Sequence, residues 1–170
     1  MGALAQKQQV VKEKNSMNIQ ETVQALMDSV QKGRFEEART FLSDDFKVIG
    51  FSSSPINREA WLNLSANLMM AFADLNYHFQ VHSIEGNVVN TTSQLSGTNS
   101  GAFDFTNINM GVISATNRKF SSATQKTKIT VKGGKVTSWA MEPTEGAGLT
   151  AILAQLGVKL PATKNKRKYL

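Results

Sequence analysis

Hydrophobic residues recur at helical spacing in three stretches of the first half of the chain. Residues 18–33 carry the clearest stripe, behind an asparagine followed three positions later by a glutamate, a variant of the capping box that begins many helices. Residues 35–42 and 57–72 carry two more, and Asn57 can cap the last of these helices. The stripes consist of Val23, Leu26, Met27 and Val30, then Phe35, Ala38 and Leu42, then Trp61, Leu64, Leu68 and Phe72.

After Asp74 the spacing of apolar residues changes from 3.6 to 2, the period of half-buried strands. Tyr77, Phe79 and Val81 alternate with polar residues, and later segments are rich in Thr, Ser and Val, as strands prefer. A Gly-Gly pair at 133–134 predicts a hairpin turn. Strands are predicted over residues 45–51, 77–82, 88–98, 119–132 and 135–142.

A last short helix is predicted from Leu149, Ile152, Leu153 and Leu156, ending at Gly157. Three helices, an antiparallel sheet and a closing helix predict a single α+β domain over residues 17–160. We expect residues 1–16 to be a mobile N-terminal extension and residues 161–170 a basic C-terminal tail.

The formal charge of +6 comes from the two ends of the chain. Residues 1–16 contribute a net charge of +2 and residues 161–170 a net charge of +4, so residues 17–160 are neutral. A nucleic-acid interface is normally a basic patch on the folded domain. We therefore expect no nucleic-acid partner, although a basic-tailed adaptor, with the tails as the functional part, is one alternative function.

The composition narrows the chemistry further. The chain has no cysteine, which excludes disulfides, thiolate catalysis and thiolate metal ligands. No apolar run approaches the roughly 18 residues of a transmembrane helix. His78 and His82 would lie about 13 Å apart on one strand, too far to share one ion. We expect a soluble, cytoplasmic protein without membrane association, metal or cofactor.

Several motifs, in this order and spacing, resemble those of the SnoaL-like polyketide cyclase or ester cyclase family, within the nuclear-transport-factor-2-like (NTF2-like) fold. The resemblance covers roughly residues 18–160. The motifs are Asn57-Arg58-Glu59-Ala60, Phe72-Ala73-Asp74-Leu75, Gly97-Thr98-Asn99-Ser100-Gly101, Thr116-Asn117-Arg118, Gly134-Lys135-Val136 with Trp139, and Gln155-Leu156-Gly157.

The resemblance implies a cone-shaped domain, in which a curved antiparallel sheet packs on three N-terminal helices, and a homodimer across the sheet. It also implies a carboxylate shortly after Trp139 as acid or base, assisted by a histidine on the preceding strand. In this chain those positions fall near Pro143 and near Ile129, and Asn99 stands where the family has a further histidine. Because none of these side chains transfers protons, the usual cyclase machinery is replaced.

Glu142 is the nearest remaining candidate for a catalytic base, and Glu145 is a second candidate. A glutamate at the mouth of an apolar pocket can have a raised pKa and act as a general base. However, if Trp139 and Met141 face inward, strict alternation turns Glu142 outward. A solvated surface glutamate is then the simpler interpretation.

A pocket between the third helix and the sheet is the expected ligand site, although a filled core would use the same residues. On the strand 119–131, outward Lys126 and Lys128 would leave Gln125 and Thr127 as inward polar groups that need partners. A ligand, a water molecule or a cross-strand hydrogen bond could satisfy them. The candidate ligand-pocket residues are Trp61, Met69, Phe72, Tyr77, Gln125, Thr127, Trp139 and Met141.

The predicted function is a pocket domain for a small hydrophobic molecule. Any catalysis would be proton transfer of the cyclase or isomerase kind with non-standard site residues. A non-catalytic domain of the same fold, used for ligand binding or protein association, is the alternative. The irregular segment 103–113, with Phe103, Ile108 and Met110, could be a lid or an oligomer contact.

Overall fold

A computed structural model describes residues 18–52, 54–106 and 111–158 of the chain, with only the backbone of Phe105. The predicted N-terminal extension and basic C-terminal tail therefore lie outside the described residues. Ile108 and Met110 of the predicted lid also lie outside them.

The four predicted helices are present. They are α1 (Ile19–Gln31), α2 (Phe35–Thr40), α3 (Arg58–Ala71) and α4 (Leu149–Gln155). Asn18 and Asn57 cap α1 and α3 as predicted, because each side-chain oxygen accepts a hydrogen bond from a backbone N–H three residues on, at 2.7 and 2.9 Å.

The described residues contain ten strands, which form one large sheet and two short two-stranded pairs. In chain order they are β1 (Leu42–Ile49), β2 (Ile56–Asn57), β3 (Gln80–Glu85), β4 (Val88–Ser93), β5 (Ser96–Thr98), β6 (Phe103–Phe105), β7 (Gly111–Ile113), β8 (Lys119–Ser121), β9 (Gln125–Lys132) and β10 (Lys135–Met141). The six-stranded sheet has the order β2-β1-β10-β9-β4-β3, while β5 pairs with β8 and β6 with β7.

The sheet confirms the predicted α+β fold but is not wholly antiparallel. β1 runs parallel to β10, with Val48 opposite Trp139, and the other pairs of the large sheet are antiparallel. The predicted strands 88–98 and 119–132 each divide into two shorter ones. These divisions let the second piece of the first strand, β5, and the first piece of the second strand, β8, leave the large sheet and pair with each other.

The strand predicted over residues 77–82 begins at Gln80 instead. His78 has a φ of 44°, a left-handed conformation that interrupts extended backbone. The alternation of the side chains nevertheless holds, because Tyr77 is buried and Phe79 and Val81 are half-buried.

The buried face of α3 differs from the predicted stripe. Trp61 is buried as expected, but Leu64 and Leu68 are only half-buried. Their place is taken by Leu62 and Ser65, on a face rotated from the predicted one. Ser65 can be buried because its hydroxyl donates to the Trp61 carbonyl oxygen at 2.9 Å within the helix.

The helices supply apolar side chains to the core, which the inner face of the large sheet completes. The four leucine and isoleucine positions predicted for α4 and its C-terminal end are all buried. Within residues 18–52, 54–106 and 111–158, no helix combines the length and apolar character needed to cross a membrane.

Candidate functional site

The two faces of the large sheet differ in chemistry. On β9, inward Thr127, Ile129 and Val131 are buried while Lys126 and Lys128 are exposed, as the alternation predicts. The register places Ile129 beside Trp139 and Thr127 beside Met141. The inner face is therefore apolar around Trp139 and becomes polar at Thr127, the next inward-facing residue of β9.

Four aromatic rings form a layer where α3 packs on the inner face. The ring centroids of Trp61 and Trp139 are 5.3 Å apart, so the two predicted pocket walls touch each other. Phe46 lies 5.4 Å from Trp61, and Phe79 lies 6.3 Å from Trp139. The sequence had not assigned Phe46 and Phe79 to this layer, although their inward alternation was the available signal.

Two buried hydroxyls beside this aromatic layer lack hydrogen-bond partners among the described residues: the Tyr77 Oη and the Thr127 Oγ1. Tyr77 is 9% exposed and Thr127 is 3% exposed. Burial raises the pKa of Tyr77 well above its usual range. The Ser65 hydroxyl lies close enough to the Tyr77 Oη to offset this effect in part, but the contact is not a well-formed hydrogen bond, because the Ser65 hydroxyl donates to the Trp61 carbonyl oxygen. Tyr77 is therefore a neutral phenol, able to donate a hydrogen bond, throughout the physiological pH range.

The backbone of Tyr77 is held from both sides. Its N–H donates to the Gln31 Oε1 at 2.9 Å, and its carbonyl oxygen accepts from the Gln94 N–H at 2.9 Å. The Gln31 amide also donates to the Leu75 carbonyl oxygen at 2.7 Å. Helix α1 thus fixes the strand segment that carries the unpaired phenol.

Gln125, the other predicted inward polar residue, is satisfied by the chain itself. Its Nε2 donates to the Glu142 carbonyl oxygen, to the Lys126 carbonyl oxygen at 3.2 Å and to the Thr144 Oγ1 at 3.4 Å. Gln125 is half-buried, as is Met141 at the end of β10. Gln125 therefore ties the segment after β10 to β9.

The remaining predicted pocket residues belong to a different part of the core. The Phe72 ring lies 5.8 Å from the Phe103 ring and 4.7 Å from the Phe120 ring. Met69 is half-buried, and its Sδ lies 3.5 Å from where a Cβ would stand on Gly33. Trp61 of α3 thus contacts Trp139 of the inner face, and Tyr77 lies beside Ser65 of α3. Phe72 belongs to a second aromatic cluster.

Acidic and basic side chains stay outside this interior. Every aspartate, glutamate and histidine of the described residues is exposed. Among the described residues, Tyr77 is the one titratable side chain that is buried. Glu142 lies on the outer face of the sheet, and Glu145 is exposed. The positions at which the resemblance predicts proton-transfer groups hold buried Ile129 and exposed Pro143.

Asn99 occupies the third such position and is a structural residue. It is 1% exposed, and its amide nitrogen donates to the Gly101 and Ala71 carbonyl oxygens at 2.8 and 3.3 Å. Its amide oxygen accepts from both the N–H and the hydroxyl of Thr116, each at 2.9 Å. A side chain so fully engaged is unavailable to a substrate.

The same segment contacts the end of α3 a second time. Both the N–H and the hydroxyl of Thr98 donate to the Asp74 carboxylate, at 2.7 and 2.9 Å. A Cβ on Gly97 would come within 3.3 Å of an Asp74 carboxylate oxygen. We call residues 71–74, 97–101 and 116–118 the clasp, because three of the sequence motifs meet there and hold α3 to the sheet.

The Thr98 hydrogen bonds hold the pKa of Asp74 below its usual range, with the backbone bond as the larger cause. A depressed carboxyl pKa adds stability above the unfolded-state pKa, near 3.8, and that stability is lost as pH falls through the folded-state pKa. We expect Asp74→Asn to lower the melting temperature at pH 6 and to lose this effect toward pH 2. If the difference in melting temperature between the wild-type protein and Asp74→Asn stayed the same from pH 6 to pH 2, the stabilising role of the ionised Asp74 carboxylate would be contradicted.

A cavity with a volume of about 530 Å³ lies on the outer face of the sheet. Its side chains come from β3, β4, β9 and β10 and the residue that follows β10. The sequence indicated that Lys126 and Lys128 face outward, but the concavity depends on the curvature of the sheet, which no residue pattern reports. Its lining consists of His82, Asn90, Thr91, Thr92, Lys126, Thr127, Lys128, Ala140, Met141 and Glu142. Two of the predicted ligand-pocket residues, Thr127 and Met141, therefore contribute to this cavity.

The two histidines each bond to a hydroxyl of a neighbouring strand. The Nε2 of His78 lies 2.9 Å from the Ser96 Oγ, and the Nε2 of His82 lies 2.7 Å from the Thr92 Oγ1. Among residues 18–52, 54–106 and 111–158, no three His, Asp or Glu side chains are grouped as metal ligands.

Comparison with solved structures finds known proteins with this architecture. IdmH of Streptomyces antibioticus, a proposed polyketide cyclase, matches with a TM-score of 0.61 and 24% identity over 83% of this chain and 99% of its own. A proposed SnoaL-like polyketide cyclase from Jannaschia sp. CCS1 matches with a TM-score of 0.62 and 21% identity over 83% and 92% of the two chains. The chain has the SnoaL-like fold.

A hypothetical protein from Catenulispora acidiphila DSM 44928, with a ketosteroid isomerase-like fold and a bound trimethylamine, matches with a TM-score of 0.55. Its identity is 18%, over 82% of this chain and 94% of its own. No protein-family model and no curated protein sequence matches the chain. These similarities establish the fold, and the activity must be argued from the site.

Proposed function

We propose that this SnoaL-like domain binds a small, mainly apolar molecule between α3 and the inner face of the sheet. The Tyr77 and Thr127 hydroxyls would meet a polar atom of that molecule, such as a ketone oxygen. The observation that supports this proposal most strongly is the pair of buried hydroxyls without partners among the described residues. A buried, unsatisfied polar group costs about 1–3 kcal/mol, so a ligand that satisfies it gains binding energy.

The proposed ligand would lie against the aromatic layer. Tyr77 is next to Ser65, which is one helical turn from Trp61, and Trp61 touches Trp139. Thr127 lies two residue pairs from Trp139 along the β9–β10 ladder, on the same face of the sheet. An apolar molecule with one polar end fits such a layer, because ligand sites combine apolar walls with few polar groups.

Binding is favoured over proton-transfer catalysis. A cyclase or isomerase reaction of this kind needs a group that accepts a proton from carbon. In residues 18–52, 54–106 and 111–158, all carboxylates and imidazoles are exposed and lie outside this interior. The neutral Tyr77 phenol could stabilise an enolate oxygen, which is the electrostatic part of such a reaction. The non-catalytic alternative is therefore the function we propose.

Removing the Tyr77 hydroxyl tests the proposal, because it should act in opposite directions on stability and binding. We expect Tyr77→Phe to raise the unfolding free energy of the ligand-free protein by roughly 1 kcal/mol, since an unsatisfied group is removed. The same variant should weaken binding of prodan, a neutral fluorescent naphthyl ketone, by roughly tenfold. Denaturant titration and fluorescence titration measure the two effects.

Thr127→Val provides a second variant of nearly the same shape, and Thr130→Val is its control, because Thr130 lies on the same strand and is turned toward the outer face. We expect weaker prodan binding for Thr127→Val and unchanged binding for Thr130→Val. Loss of stability in both Tyr77→Phe and Thr127→Val would show that the hydroxyls are already satisfied and would contradict the proposal. Native mass spectrometry of the purified protein would report a co-purified molecule.

The homodimer across the sheet remains a prediction. Burial of the outer face would remove Lys126, Lys128 and Glu142 from water, and unpaired charges are costly to desolvate. Light scattering of the purified protein measures the oligomeric state directly.

A further inference from the structure

The outer-face cavity has a wall of positive charge. Lys126 and Lys128 are two residues apart on β9, so their side chains project from the same face with Cα atoms about 7 Å apart. Both side chains line the cavity. His82 adds an imidazole from β3, on the other side of the polar residues of β4.

These ammonium groups are not neutralised by the fold. No carboxylate of the described residues lies within 4.0 Å of the Lys126 or Lys128 Nζ. Glu142 is the nearest candidate, because its backbone N–H donates to the Lys126 carbonyl oxygen at 2.9 Å, yet the two side chains form no ion pair. Two lysines therefore face one carboxylate across a concave surface.

Neutral groups complete the wall and are already oriented. The Thr92 hydroxyl is within 2.7 Å of the His82 Nε2, and this contact leaves the His82 Nδ1 without a partner among the described residues. The Asn90 amide nitrogen donates to the Ser83 Oγ at 2.9 Å, so the amide is held against β3. Hydrogen-bonded side chains lose less freedom when a ligand arrives.

We propose that this outer cavity is a second binding site, distinct from the inner one, for a small organic anion bearing a carboxylate or phosphate group. Lys126 and Lys128 would bind the anionic group, and the volume of about 530 Å³ is that of a site for a small molecule. A long polyanion is disfavoured, because residues 17–160 carry no net charge. Thr127 and Met141 line this cavity as well, but the two lysines that would bind the anion face away from the inner pocket.

Citrate and inorganic phosphate are suitable probes for the two anion sources, each titrated at low ionic strength while backbone amide NMR shifts are followed. We expect shifts concentrated in β4, β9 and the end of β10, and the probe with the lower dissociation constant identifies the preferred group. The Lys126→Ala/Lys128→Ala double variant should weaken that binding at least tenfold, since it removes two charge-assisted contacts. Glu142→Gln should tighten it roughly threefold by removing a like charge.

Lys47→Ala/Lys132→Ala is the matched control, because it removes the same charge from exposed sheet residues outside the cavity lining. This control should change the dissociation constant less than twofold. Equal weakening by both double variants would overturn the proposal in favour of non-specific attraction. Tighter binding of a single-stranded DNA oligonucleotide than of either probe, or no shift at all together with a dimer by light scattering, would also overturn it. Prodan binding should be the same in all these variants, which separates this test from that of the inner pocket.

Discussion

Replacing Asn99 by alanine should lower the free energy of unfolding by about 3 kcal/mol, one of the largest effects we expect from a single polar substitution. The Asn99 side chain makes four hydrogen bonds in the clasp and is almost fully buried. Alanine would leave the Thr116 N–H and the Gly101 carbonyl oxygen without these partners. The cost is therefore the loss of these bonds together with the incomplete solvation of partner groups that remain partly buried.

Asn67→Ala is the control for this measurement. Asn67 is half-buried on α3, and its amide nitrogen makes a single hydrogen bond, to the Asp104 carbonyl oxygen at 3.2 Å. Its replacement should change the free energy of unfolding by less than about 0.5 kcal/mol. Urea denaturation of both variants compares the two costs, and similar values would show that the Asn99 network does not stabilise the domain.

Gly101→Ala should be at least as damaging, with an expected loss of roughly 3 kcal/mol in the free energy of unfolding. A Cβ on Gly101 would overlap the Met70 carbonyl oxygen and lie within 3.5 Å of the Ala71 Cα. These are backbone atoms of α3 and cannot move aside as a flexible side chain can. The Gly101 N–H also donates to the Ala71 carbonyl oxygen at 3.1 Å, so any shift breaks a bond that satisfies the end of the helix.

Gly148→Ala separates this contact from the general effect of adding a methyl group to a glycine. A Cβ on Gly148 would have open space around it, and its φ of −79° suits any residue. We expect a loss of less than about 1 kcal/mol, because alanine is a poorer N-cap residue than glycine. Thermal unfolding of the two variants would refute the close-approach argument if Gly101→Ala were equally mild.

Hydrophobic periodicity was sufficient to find the helices and most strands, because each buries one face whose spacing is visible in the sequence. The motif order was sufficient to indicate the fold, and the clasp explains why: three motifs that are distant in sequence meet at one junction. Those motifs carry turn, cap and packing requirements rather than catalytic groups. For this reason they indicate the fold well and the reaction poorly.

The site was harder to predict, because its chemistry depends on which polar groups find partners. Gln125 and Thr127 looked alike in the sequence, as two inward polar residues on one strand. The segment after β10 folds back and accepts the Gln125 hydrogen bonds, whereas the Thr127 hydroxyl has no such neighbour. The rotated face of α3 and the left-handed His78 are also decided by tertiary packing.

The parallel pairing of β1 with β10 makes the first strand of the large sheet a neighbour of its last. Val48 cannot pair until Trp139, about ninety residues later, has been synthesised. β2 joins the sheet only through its pairing with β1. During synthesis on the ribosome, helices α1 and α2 can form early, but the sheet that covers them cannot close until β10 has left the exit tunnel. The apolar stripes of these helices would therefore remain uncovered until nearly the whole domain has been synthesised.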